Sequence, residues 1–474
     1  MKWCFLLQDE FYSPEFFGKL SHQISKEGDE CIVIVNSKIA EYDKEKYFPR
    51  NTRFLSKVDW CIENYQKQQK DKFDNLSWKE FFPTFNRKTK ILNFDYNKSV
   101  GIISQLYQFF NFVFQKEKPD LVISEPPSNI NNGIAYHFCK KNNVIYFGLM
   151  NSRFQRRIDV YDLEYTCSKY EELFRKILNG RISEKERKFS QGFIEDFISH
   201  RKLPSYMEVP VNWFYGTSFI THYAKRAKQV YRPWIKYLLR RKEFNVFDYE
   251  SENRLRGAFR APLIALKYKF RTLFQQNIFD SLNDGEKFFL FPLHYQPEAS
   301  TSVLATYFYN QLNTVKNTAF SLPFPYKLYV KEHPSSIGTR SNNFYKELKN
   351  IPNVCLISPH ENVENLIKKS QGVITLTSTI GMEAALAGKP VYVLGNVFYS
   401  YHPLCRKINS FEELKQKLQT NLTNRPIISN LSEINIRFII SYFRNTIPGN
   451  LLVSDGKSDN NDYKMIYEAI KHFL

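Results

Sequence analysis

Two apolar segments in the second half of the chain each end in polar residues suited to binding a phosphorylated nucleotide. The strand-like Leu328–Val330 leads into Lys331–Pro334, and the strand-like Val373–Leu376 leads into Thr377–Thr379. In open α/β sheets, ligands collect at the carboxyl ends of the strands. A helix that begins there also presents free N–H groups and the positive end of its dipole to an anion. The sequence therefore predicts a phosphate site built from strand ends.

His333 is the residue at this position with the clearest chemistry. Pro334 lacks an N–H and biases His333 toward an extended backbone, which can direct the imidazole toward a ligand. The imidazole can then donate to a nucleotide phosphate and stabilise the leaving group. The structural alternative is a histidine that caps the strand end.

The Ser/Thr cluster and Glu383 complete the predicted nucleotide site. The hydroxyls stand at a predicted helix start, Gly381 permits close approach, and Glu383 in the first turn can accept from ribose hydroxyls. Ordinary N-caps and a structural glutamate favoured by the helix dipole are the alternatives. The predicted nucleotide-binding residues are Lys331, Glu332, His333, Thr377, Ser378, Thr379 and Glu383.

A third polar group follows the strand-like Lys287–Pro292. His294, Gln296 and Glu298 are crowded into a turn that a hydrophobic core does not require. We expect them to contact the donor sugar, the base or the acceptor, with pure turn chemistry as the alternative.

The first half offers acidic candidates for a general base. Glu125 follows the strand-like Leu121–Ser124 and precedes a predicted helix, where a carboxylate can activate an acceptor hydroxyl. Asp9 and Glu10, after the first strand, are rivals for this catalytic role. A loop carboxylate without chemistry is the alternative for Glu125.

Arginines follow the next strand-like segment, Val144–Leu149. Arg153, Arg156 and Arg157 are predicted to bind an anionic acceptor or the carboxylate of a donor. The dipeptide His402-Pro403 repeats the HP pattern, but it lies beyond the last predicted strand and is given no role.

Strand-like and helix-like segments alternate in both halves, which predicts an α/β protein with two doubly wound, Rossmann-like domains. Between them the chain is basic, rich in helix-like sequence and interrupted by prolines. The predicted organisation is a first domain over 1–160, a basic helical insertion over 161–285, a second domain over 286–410 and C-terminal helices over 411–474 that pack back toward the first domain.

The 67 basic and 48 acidic residues give a net charge of +19, which favours polyanionic partners. The charge is densest around residues 225–271, where aromatic residues are interleaved. A solvated helical face, a peripheral contact with an anionic membrane and a nucleic-acid contact stay open. No nucleic-acid motif is visible, so we expect no nucleic-acid partner.

Seven scattered cysteines without a C-x-x-C pair argue against a zinc site and a disulfide framework. The apolar start of the chain is too brief for a signal peptide, and no segment of about twenty residues is apolar enough to span a bilayer. We expect a cytoplasmic protein that can lie at the inner face of the membrane.

The segments F-P-L-H-Y-Q-P-E (291–298), V-K-E-H-P (330–334) and T-S-T-I-G-M-E-A-A-L-A-G-K-P-V (377–391) resemble the nucleotide-binding half of the capsule polysaccharide biosynthesis family, GT-B glycosyltransferases that include CMP-Kdo-dependent enzymes. The HP and Ser/Thr elements are also similar to those of bacterial GT-B sialyltransferases. In those families these residues contact the CMP phosphate, which implies that role for His333, Ser378 and Thr379.

The resemblance implies a GT-B fold with its two domains facing a cleft, the first for acceptor and the second for nucleotide-sugar. It implies transfer of a sugar, such as Kdo or another ulosonic acid, to a glycan or lipid-linked glycan. A CMP-linked donor is favoured and a UDP-linked donor is possible. His333, Lys331 and the helix N-terminus would stabilise the departing phosphate. Neither a metal ion nor a cofactor is expected.

Two alternatives stay open. Polyol-phosphate transferases of teichoic acid synthesis use CDP-linked donors and also carry an HP element and a Ser-rich turn before G-K-P. Here Ser378 is followed by Thr-Ile-Gly-Met-Glu instead of a Ser-Ser pair with a nearby Asp, which favours the sugar transferase. The other alternative is a non-catalytic nucleotide- or glycan-binding protein that retains a GT-B shell.

Overall fold

The strands pair into two separate sheets, one in each of two units. The computed structural model describes residues 1–7, 13–37, 47–64, 76–81, 96–126, 129–161, 168–199, 263, 266–275, 277–423, 429–451 and 461–474. Unit 1 comprises the described residues within 1–163 and 446–474, and unit 2 those within 164–219 and 263–445.

Strands and helices alternate along most of the described chain. The strands are β1 (Lys2–Leu7), β2 (Glu30–Val35), β3 (Arg53–Ser56), β4 (Leu121–Ser124), β5 (Ile145–Asn151), β6 (Arg157–Tyr161), β7 (Phe288–Pro292), β8 (Lys327–Lys331), β9 (Val354–Ile357), β10 (Val373–Thr375), β11 (Val391–Val393), β12 (Cys405–Lys407) and β13 (Thr446–Pro448). The helices are α1 (Ser13–Lys26), α2 (Lys57–Glu63), α3 (Tyr96–Lys116), α4 (Ile130–Lys141), α5 (Ser168–Leu178), α6 (Glu184–Ile198), α7 (266–275), α8 (Ala299–Ser302), α9 (Gln311–Ser321), α10 (Asn342–Lys349), α11 (Val363–Lys369), α12 (Thr379–Leu386), α13 (Phe411–Thr423), α14 (Leu431–Arg444) and α15 (Tyr463–Phe473).

The described part of unit 1 forms a seven-stranded sheet in the order β13-β6-β5-β4-β1-β2-β3. β6 runs antiparallel to β5 and β13, and the other neighbours are parallel. Side chains alternate along β1. Trp3, Phe5 and Leu7 pack in one core with α1 and α15, whereas Cys4 and Leu6 pack in a second core with α3 and α4. Helices therefore cover both faces of the sheet.

The described part of unit 2 forms a six-stranded, all-parallel sheet in the order β12-β11-β10-β7-β8-β9. Its central strands are buried along their whole length, as the sequence Phe288–Pro292 illustrates. Continuous apolar runs of this kind are typical of parallel strands that are covered on both faces. The predicted α/β class with two Rossmann-like, doubly wound units is confirmed.

The structure contains four strands that the sequence pattern did not predict: β3, β6, β12 and β13. β3, β6 and β12 contain arginine and β13 is only Thr-Ile-Pro, so none of them is a distinct apolar run. β6 and β13 matter most, because their pairing brings residues 446–474 into unit 1. The predicted C-terminal segment 411–474 is thus divided, with residues 411–423 and 429–445 in unit 2.

Helices α5 and α6 belong to unit 2, where they pack against α14. Arg187 forms a bidentate ion pair with Glu433 at 2.6 and 3.1 Å, and Arg437 contacts the same carboxylate at 2.7 Å. The first part of the predicted insertion 161–285 is therefore joined to the second unit. Residues 200–262, which include most of the basic stretch, lie outside the described residues.

Candidate active site

The strand order of unit 2 reverses between β7 and β10. From β7 the chain proceeds to β8 and β9 on one side, and then to β10, β11 and β12 on the other. Doubly wound sheets bind ligands outside the carboxyl ends of the strands at such a reversal. The residues predicted from the sequence follow β7, β8 and β10, and therefore lie at this reversal and beside it.

His294 follows β7 and is held from several directions. Its backbone N–H donates to Gln311 Oε1 at 2.7 Å, and its carbonyl oxygen accepts from Gln311 Nε2 at 3.0 Å and from Arg340 Nη2 at 2.5 Å. Its ring Nε2 accepts from the backbone N–H of Thr377 at 3.1 Å. His294 therefore links the ends of β7 and β10 across the reversal.

These contacts fix the charge and tautomer of His294. Burial, followed by the nearby His333 and Arg340, lowers the pKa of His294 from 6.5 to about 3. The ring is therefore neutral, and because Nε2 is an acceptor, the proton lies on Nδ1. This buried Nδ1 has no hydrogen-bond partner among the described residues. It is an oriented donor that a ligand oxygen can satisfy.

His333 follows β8 and presents a second neutral imidazole. Its backbone is extended, with φ −79° and ψ 131°, as predicted for a residue that is followed by proline. Nδ1 accepts from the Ser335 N–H at 3.1 Å, so the proton lies on Nε2. Burial, followed by the charges of Arg340 and Lys331, lowers its pKa to about 4. The capping contact that was the structural alternative is present, and it leaves the Nε2–H as a donor.

Lys331 and Glu332 lie below the surface and contact the protein framework. Lys331 Nζ donates to the Pro359 carbonyl oxygen at 2.8 Å, and burial lowers its pKa to about 8. Glu332 accepts from Tyr345 Oη at 2.8 Å and from the His333 N–H at 2.6 Å. These contacts orient the turn that carries His333. They do not establish the nucleotide contact predicted for either residue.

Arg340 is a site residue that the sequence analysis did not identify. It contacts Glu332 Oε2 at 3.0 Å in addition to the His294 carbonyl, and its guanidinium lies 4.7 Å from the Phe344 ring centroid. Arg340 thereby places a positive charge beside both histidines. It follows no strand, so a search confined to strand ends could not find it.

Ser378 caps α12 at the end of β10. Its Oγ accepts from the Ile380 N–H at 3.2 Å, and its own N–H donates to Thr375 Oγ1 at 3.1 Å. Thr377 Oγ1 donates to the Ser300 carbonyl oxygen at 2.9 Å. The predicted helix start is therefore correct, and α12 begins at Thr379. Its N-terminus is directed to the same sheet edge as His294 and His333.

Gly381 and Glu383 take different places from those expected. A Cβ atom on Gly381 would lie 2.4 Å from Tyr399 Oη, so this glycine permits close approach of Tyr399. Glu383 is buried in the second turn of α12, not in the first. The difference arises because the helix already begins at Thr379, which makes Glu383 its fifth residue. Ribose binding by Glu383 stays a prediction.

Gln296 and Glu298 make the turn contacts that were the alternative for this segment. Gln296 Nε2 donates to the Tyr309 carbonyl oxygen at 2.8 Å and to Thr301 Oγ1 at 3.3 Å. Glu298 precedes α8 and accepts from Ser300 Oγ at 3.1 Å. Of the three polar residues after β7, His294 is thus the one directed at the strand reversal.

In unit 1, Glu125 follows β4 at the corresponding reversal, between β1 and β4. Its carbonyl oxygen accepts from Tyr146 Oη at 3.0 Å and from Asn132 Nδ2 at 3.2 Å. The backbone of the proposed base is therefore fixed at the ligand-binding edge of this sheet. Asp9 and Glu10 lie outside the described residues.

Arg153 and Arg157 hold neighbouring strands together. Arg153 Nη1 donates to Asp159 Oδ2 at 3.1 Å and to Tyr161 Oη at 3.3 Å. Arg157 lies within β6, where its Nε donates to Thr446 Oγ1 at 2.8 Å and its Nη2 donates to the Thr446 carbonyl oxygen. Arg157 thus has a structural role in pairing β6 with β13, two strands that the sequence did not predict, and its anion contact stays a prediction.

The comparisons with known proteins agree with the motifs. Residues 281–438 match the family model for capsule polysaccharide biosynthesis protein. Similar solved structures include two from Thermosulfurimonas dismutans KpsC: the beta Kdo 2,7 transferase (13% identity, 77% of this chain and 89% of that chain, TM-score 0.37) and the beta Kdo 2,4 transferase (13%, 68% and 79%, 0.36). The UDP-GlcNAc 2-epimerase from Methanocaldococcus jannaschii has 13% identity over 93% of this chain and 99% of that chain, with a TM-score of 0.27. No relative was found among the curated protein sequences.

These TM-scores are low, so the assignment depends on the family model and the motifs. The matched segment contains β7 to β12 and most of α14. It also contains the turn at His333-Pro334, the turn at Thr377–Thr379 and His294. The predicted resemblance is confirmed: residues 281–438 of this chain are similar to the capsule polysaccharide biosynthesis proteins.

Proposed function

We propose that this protein is a glycosyltransferase that moves a sugar from a nucleotide-activated donor to a growing surface polysaccharide or glycolipid. The observation that carries the proposal is the convergence of three donors at one sheet edge: His294 Nδ1–H, His333 Nε2–H and the N-terminus of α12. All three are suited to a phosphate oxygen.

Uncharged hydrogen-bond donors suit a phosphate that acts as the leaving group of the reaction. Both imidazoles are kept uncharged by burial, and Arg340 supplies a fixed charge beside them. Donors that are already oriented stabilise the charge that develops on the leaving oxygen without reorganising during the reaction. The anomeric carbon–oxygen bond would break with its electron pair moving to the phosphate, while an acceptor hydroxyl forms the new bond.

The acceptor hydroxyl must lose its proton in this reaction. We propose Glu125 as the base, because its backbone is fixed at the ligand edge of unit 1. Asp9 and Glu10 are the other carboxylates proposed for this role. Glu125→Gln should abolish transfer while donor binding is retained. Retained transfer in Glu125→Gln would move the assignment to Asp9 or Glu10.

The donor we favour is a CMP-linked ulosonic acid such as Kdo, in keeping with the motif resemblance. The sequence Thr-Ile-Gly-Met-Glu after Ser378 is the feature that disfavours a CDP-polyol phosphotransferase. Independence from metal ions is likewise proposed. A non-catalytic GT-B shell would bind the nucleotide without turnover.

A thermal-shift panel of CMP, CDP, UMP, UDP, GDP and TDP tests the proposal, because stabilisation depends on ligand concentration relative to affinity. We expect a selective shift with CMP that His333→Ala abolishes. His22→Ala, which alters an exposed histidine of unit 1, should respond like the wild type. CDP selectivity would favour the polyol-phosphate alternative, and UDP selectivity a different sugar donor. No shift at millimolar nucleotide would refute the phosphate site.

A further inference from the structure

Helix α7 buries polar side chains and exposes apolar ones, which is the opposite of a normal surface helix in a globular protein. The side chains that it buries are polar: Thr272 is 2% exposed and Gln275 is fully buried. Its large apolar side chains face outward instead, with exposures of 57% for Phe270, 61% for Leu273 and 72% for Phe274. A surface helix normally buries its apolar stripe, so this exposed stripe requires a partner.

The buried face of α7 is fixed to unit 2 by hydrogen bonds. Gln275 Nε2 donates to the Arg340 carbonyl oxygen at 3.0 Å and to Asn342 Oδ1 at 2.8 Å, and Gln275 Oε1 accepts from the Gly338 N–H at 2.9 Å. Gly338 has φ +76°, and a Cβ atom there would lie 2.4 Å from the Tyr268 carbonyl oxygen. The orientation of the helix is therefore determined by close, specific contacts.

The outward face forms one continuous stripe. At about 100° per residue, four apolar positions of α7 fall within an arc of roughly 100°. Lys269 lies at one border of this arc and Lys267 at the other, with Arg271 beyond it. The stripe consists of Leu266, Phe270, Leu273 and Phe274, each at least 52% exposed.

This arrangement identifies the partner. An apolar arc bordered by lysines is typical of helices that lie in the plane of a membrane interface. Among the described residues, no helix is long and apolar enough to cross a membrane. The ammonium group of Lys267 can reach anionic headgroups while its stem covers apolar surface. The basic stretch around 225–260 precedes this helix in the sequence and increases the charge complementarity.

We propose that α7 is a membrane-contact element that docks unit 2 on an anionic phospholipid surface. The inference does not depend on the proposed chemistry. It has a consequence for the site, because Gln275 contacts Arg340, and Arg340 contacts both His294 and Glu332. The side chain of Gln275 thus joins this helix to the backbone of Arg340, whose guanidinium contacts the His294 carbonyl oxygen.

Flotation of the full-length protein with phosphatidylcholine vesicles, with and without phosphatidylglycerol, tests this proposal. We expect wild-type protein to float with the anionic vesicles. The triple variant Phe270→Gln, Leu273→Gln, Phe274→Gln should reduce the partition coefficient at least ~10-fold, because it removes three apolar side chains from the interface. Phe324→Gln is the matched control, since Phe324 is an exposed aromatic residue of the same unit at 97% exposure.

Three results would overturn the proposal: wild-type protein that does not float, a triple variant that floats as well as wild type, or a Phe324→Gln variant with the same loss. If the triple variant dissociates an oligomer in light scattering and vesicle binding is unchanged, a second copy of the chain covers the stripe instead. The CMP thermal shift of the triple variant separates this proposal from the proposed function, because that shift should be unchanged.

Discussion

At the scale of single residues, the feature with the greatest consequence is the tautomer of His294. An acceptor at Nε2 forces the proton onto Nδ1, and the Gln311 and Arg340 contacts prevent the backbone from turning away. A buried donor without a partner costs free energy in the absence of ligand. That cost is compatible with a donor that a phosphate oxygen satisfies.

His294→Gln tests this interpretation. The glutamine carbonyl oxygen can still accept from the Thr377 N–H, but the Nδ1–H donor is lost. We expect nucleotide affinity to fall about 10- to 100-fold, the effect of one hydrogen bond to a charged group. Isothermal titration with CMP measures the change. Equal affinities for variant and wild type would remove His294 from the ligand site.

The burial of His333 also makes the stability of the folded protein depend on pH. The pKa of His333 is about 4 in the folded protein and 6.5 as the ordinary value. The unfolded chain therefore binds a proton in this interval that the folded protein does not. Stability is complete above pH 6.5 and declines as the pH falls toward 4, by up to about 1.4 kcal/mol per pH unit for one such histidine.

We expect the melting temperature to fall between about pH 7 and pH 5, and to fall less in His333→Gln than in wild type. Fluorescence melting curves at both pH values measure this difference. His22→Gln, a substitution at an exposed histidine of unit 1, is measured in parallel. An identical decline in His333→Gln and wild type would contradict the assignment of His333 as a neutral, buried group.

At the scale of elements, the strand ends could be predicted because parallel strands are continuous apolar runs that stop abruptly. Leu121–Ser124 matched the structure without an error in its bounds. β3 and β6 could not be predicted, because strands of four and five residues with arginines carry no such pattern. The approach of Arg340 to His294 spans 46 residues of sequence and depends on the tertiary path of a loop.

Gly381 gives a prediction at the scale of one helix. In Gly381→Ala the new Cβ meets Tyr399 Oη at 2.4 Å, so Tyr399 or the first turn of α12 must move. We expect a destabilisation of about 1–3 kcal/mol, as for overpacking in a core. Chemical denaturation followed by fluorescence measures it, and Tyr399→Phe in the same background should recover part of the loss.

Gly192 is the matched control, because it lies within helix α6 of the same unit and a Cβ there meets nothing within 4 Å. Gly192→Ala should raise stability by about 0.5–1 kcal/mol, since alanine is the better helix former. If both substitutions stabilise the protein, the packing of Tyr399 does not restrict the side chain at position 381. The N-terminus of α12 would then be held less precisely than phosphate binding requires.

At the scale of the whole molecule, each unit has cores of its own. Buried apolar residues of unit 1 pack on the two faces of its sheet, and those of unit 2 form a separate cluster. We therefore expect two thermal transitions in calorimetry, since units with separate cores need not unfold as a single cooperative system. CMP should raise only the transition of unit 2.

Leu121→Ala in β4 and Leu328→Ala in β8 assign the transitions. Both leucines are fully buried in parallel strands, so each substitution should destabilise its own unit by about 2–5 kcal/mol. We expect Leu121→Ala to lower the transition that CMP leaves unchanged and Leu328→Ala to lower the one that CMP raises. One transition that responds to both substitutions and to CMP would mean that the units unfold as one cooperative body. A CMP response in the transition lowered by Leu121→Ala would place the nucleotide in unit 1 and refute the site built on His294 and His333.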